Sequence, residues 1–396
     1  MTVMYKTVAI LGRQPALGIA ELESLYGANA IRPFGQTACL LDESVDIDFS
    51  RLGGSTRVGQ IIAEIEASNW HTVEKHILEN IEDIFPVIDG KLSFGVSSFG
   101  CKTNKQKVAK TALLIKKAIK SSGQSVRMVP HKGIELNSAT VLYNKLTKDQ
   151  GFELLIIGDG KKTVIAQTID IQDIDAYAAR DRDRPMRDAK VGMLPPKLAQ
   201  IIINIGAGPR YNEELRVLDP FCGTGVALQE AMLMDYDIYG TDLEPRMIEY
   251  SIGNLNWLDQ KYPDARDYRR IEVGDAATFT WNEPEKITTV AGETYLGQPL
   301  TTLPNSEHLS KIMQEVNALH HKFLKNIGEQ IRPGTRLCLA IPTWRGKREF
   351  LHLSVLDYLS DLGYTRIEFE HVSTEDLIYH RDGQVVGREL LVLIKN

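Results

Sequence analysis

The heptapeptide DPFCGTG, residues 219–225, has the residue types and spacing of a ligand-binding loop. It lies between two apolar segments, 215–218 and 238–241, that are predicted to be strands. Its two glycines have no side chain, so a ligand can approach the backbone closely there. Asp242, about 20 residues after the loop, is placed to accept hydrogen bonds from ribose hydroxyls. The spacing therefore predicts a ligand that contains a nucleoside.

The chemistry of this loop favours a cationic ligand. The loop lacks the GxGxxG spacing of a dinucleotide site and the Lys-Ser/Thr pair of a phosphate loop. Its first residue, Asp219, is an acid, which suits a positive charge better than a pyrophosphate. S-adenosylmethionine has a sulfonium and an amino group, and it is the predicted cofactor. The alternative is a βαβ turn without a ligand, but the spaced Asp242 and Gly274-Asp275 after a third strand weigh against it.

Length and composition are those of a globular protein with several domains. The chain has 396 residues, more than one typical domain, with 43% hydrophobic and 25% charged residues. The first residues have the pattern of neither a signal peptide nor a membrane span. The four cysteines are far apart and form no CxxC pair, so we expect no metal site and reduced thiols. These features predict a cytoplasmic protein; the oligomeric state stays open.

The charge distribution predicts a nucleic-acid-binding surface. The net charge is −6, yet residues 91–150 contain 12 lysines and arginines and only two acids. Many of these lysines fall on one predicted helix, 105–121, whose outer face would neutralise phosphates of RNA or DNA. A solvated helix surface is the alternative. The apolar stripe expected to be buried is Val108, Ala112, Ile115 and Ile119. The residues expected to contact RNA are Lys102, Lys105, Lys110, Lys117 and, from a separate acid-base run, Arg184.

The predicted elements divide the chain into four parts. Residues 1–65 and 66–170 alternate strands with helices, and we interpret them as two α+β domains. Residues 171–196 contain prolines and alternating charges and are predicted to be a linker. Residues 197–396 alternate strands and helices and end in an antiparallel-looking strand pair, 364–371 and 388–394. This order predicts an α/β fold with a doubly wound, Rossmann-like sheet, a reversed edge strand, and a ligand at the carboxyl ends of the strands.

DPFCGTG at the start of a nucleotide-binding sheet resembles the THUMP-domain RNA guanine-N2 methyltransferases, especially the archaeal and eukaryotic enzymes that act on guanosine 10 of tRNA. Residues 11–23 resemble the start of their N-terminal ferredoxin-like domain, and residues 194–199 resemble the lead-in to their catalytic domain. Residues 136–168 resemble the THUMP module, which in the family binds the acceptor end of tRNA. The resemblance implies a ferredoxin-like domain, a THUMP-like RNA-binding domain and a class I methyltransferase domain, in that order.

The resemblance also implies roles for the residues at the strand ends. Asp219 and the loop glycines would line the methionine end of S-adenosylmethionine. Asp242 would hold the ribose hydroxyls, and Asp275 with Ala276 would meet the adenine amino group. The implied cofactor-binding residues are Asp219, Pro220, Phe221, Gly223, Gly225, Asp242, Asp275 and Ala276.

The fourth strand departs from the family, which shows Asp-Pro-Pro-Tyr-Gly where this chain has AGETYLG, residues 291–297. Methyl transfer to an exocyclic amine needs acceptors for the amine and an aromatic face for the extruded base. Glu293 is the candidate to orient the amine or receive its proton, and Tyr295 is the candidate to stack. A surface or cap glutamate, followed by a loop without chemistry, is the alternative. Trp344 and Arg345 are candidates to flank the base. The alternative for Trp344 is a tryptophan packed in the core.

The predicted function is an S-adenosylmethionine-dependent RNA methyltransferase that acts on guanine N2 of tRNA. One alternative is a non-catalytic RNA-binding protein that keeps the methyltransferase fold. The other is an amino-methyltransferase that acts on DNA bases, against which the THUMP-like region weighs. We interpret the pair His320-His321 as structural or surface residues, because no carboxylate or cysteine lies at ligand spacing. The target nucleotide and the number of methyl groups stay open.

Overall fold

A computed structural model describes residues 5–188, 193–263, 268–346 and 349–396. Its internal contacts divide the chain into two compact units. The N-terminal unit comprises residues 1–19, 28–50 and 54–174. The C-terminal unit comprises residues 20–27, 51–53 and 175–396. In the described parts of the chain, no helix combines the length and apolar character needed to cross a membrane.

The N-terminal unit contains one eight-stranded sheet. Its strands are β1 (Tyr5–Leu11), β2 (Ile31–Phe34), β3 (Ala38–Asp42), β4 (Ser55–Ile65), β5 (Lys91–Phe99), β6 (Ser125–Met128), β7 (Gly151–Gly158) and β8 (Thr163–Ile171). They lie in the order β2-β3-β1-β4-β8-β7-β5-β6. Because β4 pairs with both β1 and β8, the sheet continues across residue 65, where the sequence predicts a domain boundary. The ferredoxin-like and THUMP-like assignments stay predictions.

The lysine-rich helix forms as predicted. The helices within residues 5–174 are α1 (Pro15–Tyr26), α2 (Trp70–Glu79), α3 (Ile81–Ile84), α4 (Lys105–Ser121) and α5 (Ser138–Tyr143). Helix α4 begins after Asn104, whose side chain accepts a hydrogen bond from the Lys107 N–H at 3.0 Å, a stabilising N-cap. The predicted apolar stripe of α4 is buried, together with Thr111. The helix therefore packs through one face and leaves the lysines of the other face in solvent.

The C-terminal unit contains a nine-stranded sheet. Its strands are β9 (Arg216–Asp219), β10 (Asp237–Asp242), β11 (Arg269–Val273), β12 (Thr289–Glu293), β13 (Arg336–Arg345), β14 (Phe350–Leu351), β15 (Tyr364–Arg366), β16 (Ile378–Tyr379) and β17 (Val386–Lys395). The main path is β11-β10-β9-β12-β13-β17-β15. The first five of these strands are parallel, as predicted. The strand order reverses between β9 and β12, which is where ligands bind in sheets of this kind.

The reversed strand lies at a different position from the predicted one. β17 runs antiparallel to β13, but it is an interior strand, and β15 pairs with its other side. The prediction of a reversed edge strand is therefore wrong. The physical reason is that seven of the ten residues of β17 are buried, so its backbone groups cannot bond to water and require neighbouring strands on both sides. A turn at residues 381–384 joins β16 to β17.

The C-terminal unit also contains helices, most of which lie between successive parallel strands along the chain. They are α6 (Ile174–Ala178), which ends in a short π-helix at Ala179–Asp183, α7 (Pro196–Ala207), α8 (Val226–Leu233), α9 (Pro245–Lys261) and α10 (Ser306–Gly328). All four residues of β9 are buried, as expected for a central parallel strand with helices on both faces. Its carboxyl end, at Asp219, opens into the DPFCGTG loop.

The predicted linker, residues 171–196, is held by polar contacts in the part that the structure describes. Arg180 Nε lies 2.7 Å from Glu230 Oε1 of α8, and both side chains are buried. The backbone N–H of Met186 donates to Asn254 Oδ1 of α9 at 2.9 Å. These contacts hold the segment against α8 and α9, because each satisfies a buried polar group that would otherwise be costly. The predicted linker residues 189–192 lie outside the described residues.

Two short segments from the first third of the chain complete the C-terminal unit. Glu21 is fully buried, and its Oε1 accepts hydrogen bonds from the Gly53 N–H at 2.9 Å and from Asn204 Nδ2 at 2.7 Å. Asn204, on α7, also accepts from Arg51 Nε at 3.1 Å. Buried carboxylate and amide groups need such partners. Residues 20–27 and 51–53 are therefore structural parts of the C-terminal unit.

Candidate active site

The DPFCGTG loop turns sharply between β9 and α8. Gly223 and Gly225 have φ angles of 50° and 79°, in the left-handed region that favours glycine. A Cβ atom at Gly225 would lie 2.9 Å from Ser251 Oγ, so this glycine is also required by close packing. A Cβ atom at Gly223 would meet no atom closer than 3.9 Å. The backbone at Gly223 therefore faces open space, as a ligand-binding loop requires.

Helix α9 fixes the carbonyl groups of the loop. Ser251 Oγ donates to Gly223 O at 2.8 Å, and Asn254 Nδ2 donates to Thr224 O at 2.8 Å. Sequence reasoning missed both residues. Their positions give the signal that would have found them, because they share the helix face of buried apolar residues: Met247, Ile248, Leu255 and Leu258. A polar residue on such a face needs a buried partner.

Asp242 connects the end of β10 to the loop. Its Oδ2 accepts from the Gly223 N–H at 2.9 Å, and its Oδ1 accepts from the Glu244 N–H at 3.0 Å. Burial raises the pKa of Asp242, and these two hydrogen bonds oppose the rise. Each carboxylate oxygen can accept a second hydrogen bond. The carboxylate is therefore oriented by the backbone and retains acceptor capacity for a pair of hydroxyls.

The segment after β11 carries the third predicted acid. Asp275 is exposed, and its Oδ1 accepts from the Ala277 N–H at 2.9 Å. Ala276 is buried, and its carbonyl accepts from Asn326 Nδ2 at 3.0 Å. The Gly274 N–H donates to Asp242 O at 2.9 Å, which aligns the ends of β10 and β11.

Two large apolar side chains are exposed at these same strand ends. Leu243 follows Asp242 and is 62% exposed, and Val273, the last residue of β11, is 48% exposed. Apolar side chains left in water beside polar groups are candidates to bind an apolar surface such as a purine ring. Sequence reasoning missed both residues, because a single leucine or valine at a strand end is a common occurrence.

Asp219 is the most deeply buried of the three acids predicted to bind the cofactor. Its Oδ1 accepts from the Phe221 N–H at 3.1 Å. A Cβ atom at Gly292 of β12 would lie 2.3 Å from Asp219 Oδ1, so the carboxylate occupies the space that this glycine leaves. Burial raises the pKa of Asp219, and the charges of Asp242 and Glu293 add to the rise. A cation bound beside Asp219 would therefore be favourable.

Glu293, at the end of β12, is neither a surface nor a cap glutamate. Its side chain is 15% exposed and forms an ion pair with Arg388 of β17. Burial raises the pKa of Glu293, and the charge and hydrogen bond of Arg388 oppose the rise. Tyr295, two residues later, is 42% exposed. Glu293 lies in the space beside Asp219, whereas Tyr295 is available to solvent; their catalytic roles stay predictions.

His320 of α10 is hydrogen-bonded to the segment that follows β12. It is buried on α10; its Nδ1 donates to Val316 O at 2.7 Å, and its Nε2 accepts from Thr294 Oγ1 at 2.7 Å. Burial lowers the pKa of His320 to about 4, so the ring is neutral near pH 7. The structural interpretation of this histidine fits these contacts. Trp344 is fully buried within the core of the unit, so it does not flank a base.

Arg184 is buried, in contrast to the exposed position that its predicted contact with RNA requires. Its side chain is only 2% exposed, and its Nη2 lies 3.0 Å from Met193 Sδ. A guanidinium in this position cannot reach an RNA phosphate from the surface, because the surrounding residues cover it. By contrast, the predicted lysines of the N-terminal unit are exposed: Lys102, Lys105, Lys110 and Lys117. Among the described residues, no group of His, Cys, Asp and Glu has the arrangement of a metal site.

No protein-family model matches the chain. Among curated relatives, the tRNA (guanine(10)-N2)-dimethyltransferase of Methanothermobacter thermautotrophicus is 30% identical over 156 residues, which are 38% of this chain and 39% of that protein. The enzyme of the same name from Methanocaldococcus jannaschii is 28% identical over 191 residues, 47% of this chain and 48% of that protein. The chain thus matches less than half the length of each of these relatives.

Solved structures align along almost the whole chain. TrmN from Thermus thermophilus gives a TM-score of 0.56 at 15% identity and covers 99% of this chain and 100% of its own. The fold is that of a Rossmann-like methyltransferase. SMU.472, complexed with SAH, gives a TM-score of 0.50 at 11% identity, with 99% of this chain and 98% of that chain covered. Identities this low show the shared fold and nothing finer.

Proposed function

We propose that the protein is an S-adenosylmethionine-dependent RNA methyltransferase whose acceptor is the exocyclic N2 amine of a tRNA guanine. The observation that carries the proposal is the group of three carboxylates at the carboxyl ends of β9, β10 and β12. Asp219, Asp242 and Glu293 lie at the point where the strand order reverses, beside the open backbone of Gly223.

The residues present fit S-adenosylmethionine. Asp242 has acceptor capacity for the two ribose hydroxyls, and the exposed side chains of Leu243 and Val273 would contact the adenine. Asp275 would accept from the adenine amino group. Asp219, a buried carboxylate, would be paired with the cationic methionine end of the cofactor. When bound, S-adenosylmethionine supplies an activated methyl group.

Glu293 and Tyr295 would receive the acceptor base. A guanine N2 amine donates hydrogen bonds, and the Glu293 carboxylate is an acceptor at the end of β12. The exposed ring of Tyr295 offers a face on which an extruded base can stack. Positioning of the amine in line with the methyl group would then provide most of the rate enhancement, because the methyl donor is already activated.

The lysine face of α4 supports an RNA substrate. Its predicted lysines are exposed, and among the described residues they form no ion pair with an acid. Such unpaired cations bind phosphates through counterion release. The names of the curated relatives specify tRNA, and the THUMP-like interpretation of residues 66–170 agrees with that substrate.

A non-catalytic RNA-binding protein is the second candidate. The Glu293–Arg388 ion pair favours it, because one carboxylate oxygen is already occupied at the position where the acceptor amine must bind. In that case the fold would bind RNA without transferring a methyl group to the base.

Methyl transfer from radiolabelled S-adenosylmethionine into unmodified total tRNA, with duplex DNA in parallel, tests the proposal. We expect labelled N2-methylguanosine from tRNA alone. Glu293→Gln should abolish transfer and keep S-adenosylhomocysteine binding, whereas Glu285→Gln, an exposed glutamate before β12, should act as wild type. Absence of label despite cofactor and tRNA binding would establish the non-catalytic protein, and label in DNA would refute the RNA substrate.

A further inference from the structure

The partner of Glu293 lies two strands away in the sheet. Glu293 pairs with Ala340 of β13, and Arg388 of β17 pairs with Pro342 of the same β13 strand. Residues two apart on a strand share a face, and so do paired residues on neighbouring strands, so these four side chains lie on one face. Arg388 reaches across the two short side chains of β13, and its Nε donates to Glu293 Oε1.

Among the residues that the structure describes, the other charges that act on this group are negative. Asp219 of β9 is close enough for the charge of Glu293 to raise its pKa, and Asp242 of β10 acts on Asp219 in the same way. From α10, His320 lies behind Thr294 and is neutral near pH 7 because its pKa is lowered to about 4. Arg388 therefore supplies the positive charge against a group of carboxylates, and its own side chain is only 7% exposed.

We propose that Arg388 is a positioning residue of the methyl-transfer site, which fixes Glu293 Oε1 and keeps the carboxylate ionised so that Oε2 accepts from the substrate amine. This inference rests on the proposed function. In the transfer step the amine nitrogen forms the new N–C bond while the S–C bond breaks and the sulfur keeps its electron pair. The nitrogen then loses one proton, which passes to Glu293 Oε2. The ion pair thus has a role in the reaction that goes beyond stability.

The role of Arg388 predicts a change in pH dependence. Burial raises the pKa of Glu293, and Arg388 opposes that rise. With a neutral residue at 388 the effect of burial is unopposed, so Glu293 is protonated at a higher pH than in wild type. Because transfer requires the ionised carboxylate, the loss of activity on the acidic side should begin at a higher pH than in wild type. Loss of one opposite charge at contact distance shifts such a limb upward by about 1 to 3 pH units.

The test is the pH profile of kcat/KM for tRNA methylation by full-length wild type, Arg388→Met and Arg388→Lys. Arg366→Met is the matched control, since Arg366 Nη2 pairs with Glu389 Oε1 at 2.8 Å, and Glu389 points to the opposite face of β17 from Arg388. We expect the acidic limb of the Arg388→Met profile to move to higher pH than in wild type. The limb of Arg388→Lys should lie between those of wild type and Arg388→Met, and the limb of Arg366→Met should coincide with that of wild type. Arg388→Gln replaces Arg388→Met should the latter not fold.

The outcomes separate this inference from the proposed function. A wild type that transfers no methyl group to RNA overturns both. An active wild type whose acidic limb stays unchanged in the neutral Arg388 variants overturns the inference alone. A uniform loss of activity at every pH, with the same loss in Arg366→Met, would assign Arg388 to folding and also overturns it. An upward shift that Arg388→Lys partly reverses supports it.

Discussion

Replacement of Gly225 by alanine should destabilise the C-terminal unit more than replacement of any open glycine with the same backbone conformation. A residue with a Cβ in the left-handed region costs about 1 to 2 kcal/mol. At Gly225 the new Cβ would also lie 2.9 Å from Ser251 Oγ and 3.2 Å from Ser251 Cβ. Overpacking of this kind adds about 1 to 3 kcal/mol. The expected loss in the free energy of unfolding is therefore about 2 to 5 kcal/mol.

Gly334 provides the matched control within the same unit. Its φ of 84° is close to the 79° of Gly225, but a Cβ there would meet no atom within 4 Å. Gly334→Ala should therefore show only the backbone cost, and the entropy that alanine removes from the unfolded chain is the same in both variants. The difference between the two, measured by urea unfolding, isolates the contact with Ser251. Equal losses would refute the steric reasoning.

Gly223→Ala completes the comparison, because its Cβ would point into open space. We expect a loss of stability close to that of Gly334→Ala, and a loss of S-adenosylhomocysteine affinity that Gly334→Ala does not show, measured by calorimetric titration. Unchanged affinity in Gly223→Ala would contradict the proposal that the cofactor approaches the backbone at this residue.

Two further predictions concern the lysine face and the buried histidine. The double variant Lys110→Glu, Lys117→Glu should bind tRNA more weakly and lower the slope of log affinity against log salt by about two. The control Lys75→Glu, on α2, should leave this slope unchanged. An unaltered slope in the double variant would refute a role of these lysines in phosphate contact. His320 has a folded-state pKa of about 4, below the ordinary value of 6.5, so in this range the unfolded chain binds the extra proton. The free energy of unfolding should therefore decrease by up to about 3 kcal/mol as pH falls from 6.5 to 4, and His320→Gln should remove this dependence in pH-resolved chemical denaturation.

The parts of the fold that local periodicity determines are predictable from the sequence. The stripe of α4 and the parallel strands of the C-terminal unit follow from spacing of apolar residues over a few turns or a few positions. The position of β17 does not, because an apolar run reveals that a strand is buried but not which strands lie beside it. Lateral order in a sheet depends on contacts between residues far apart in sequence.

In the candidate site, too, the sequence identifies some residues but not those whose role depends on distant parts of the chain. Gly223 and Asp242 are identifiable because their types have few other uses at that spacing. Arg184 differs from the prediction because a charged residue within an acid-base run is normally exposed, whereas here the surrounding chain covers it. Asn254 and Arg388 each act through a partner that only the folded chain brings near, 30 and 95 residues away.

The burial of Glu21 against Asn204 has a consequence for synthesis and for evolution. These two residues are separated by 183 positions, yet both belong to the C-terminal unit. On the ribosome, the segment that contains Glu21 emerges long before α7 exists, so it must stay unpaired until most of the chain has been made. A gene fragment that began at residue 175 would leave the Asn204 amide without its buried acceptor, at a cost of about 1 to 3 kcal/mol. The C-terminal unit of this protein is therefore poorly suited to exchange between genes as a separate module.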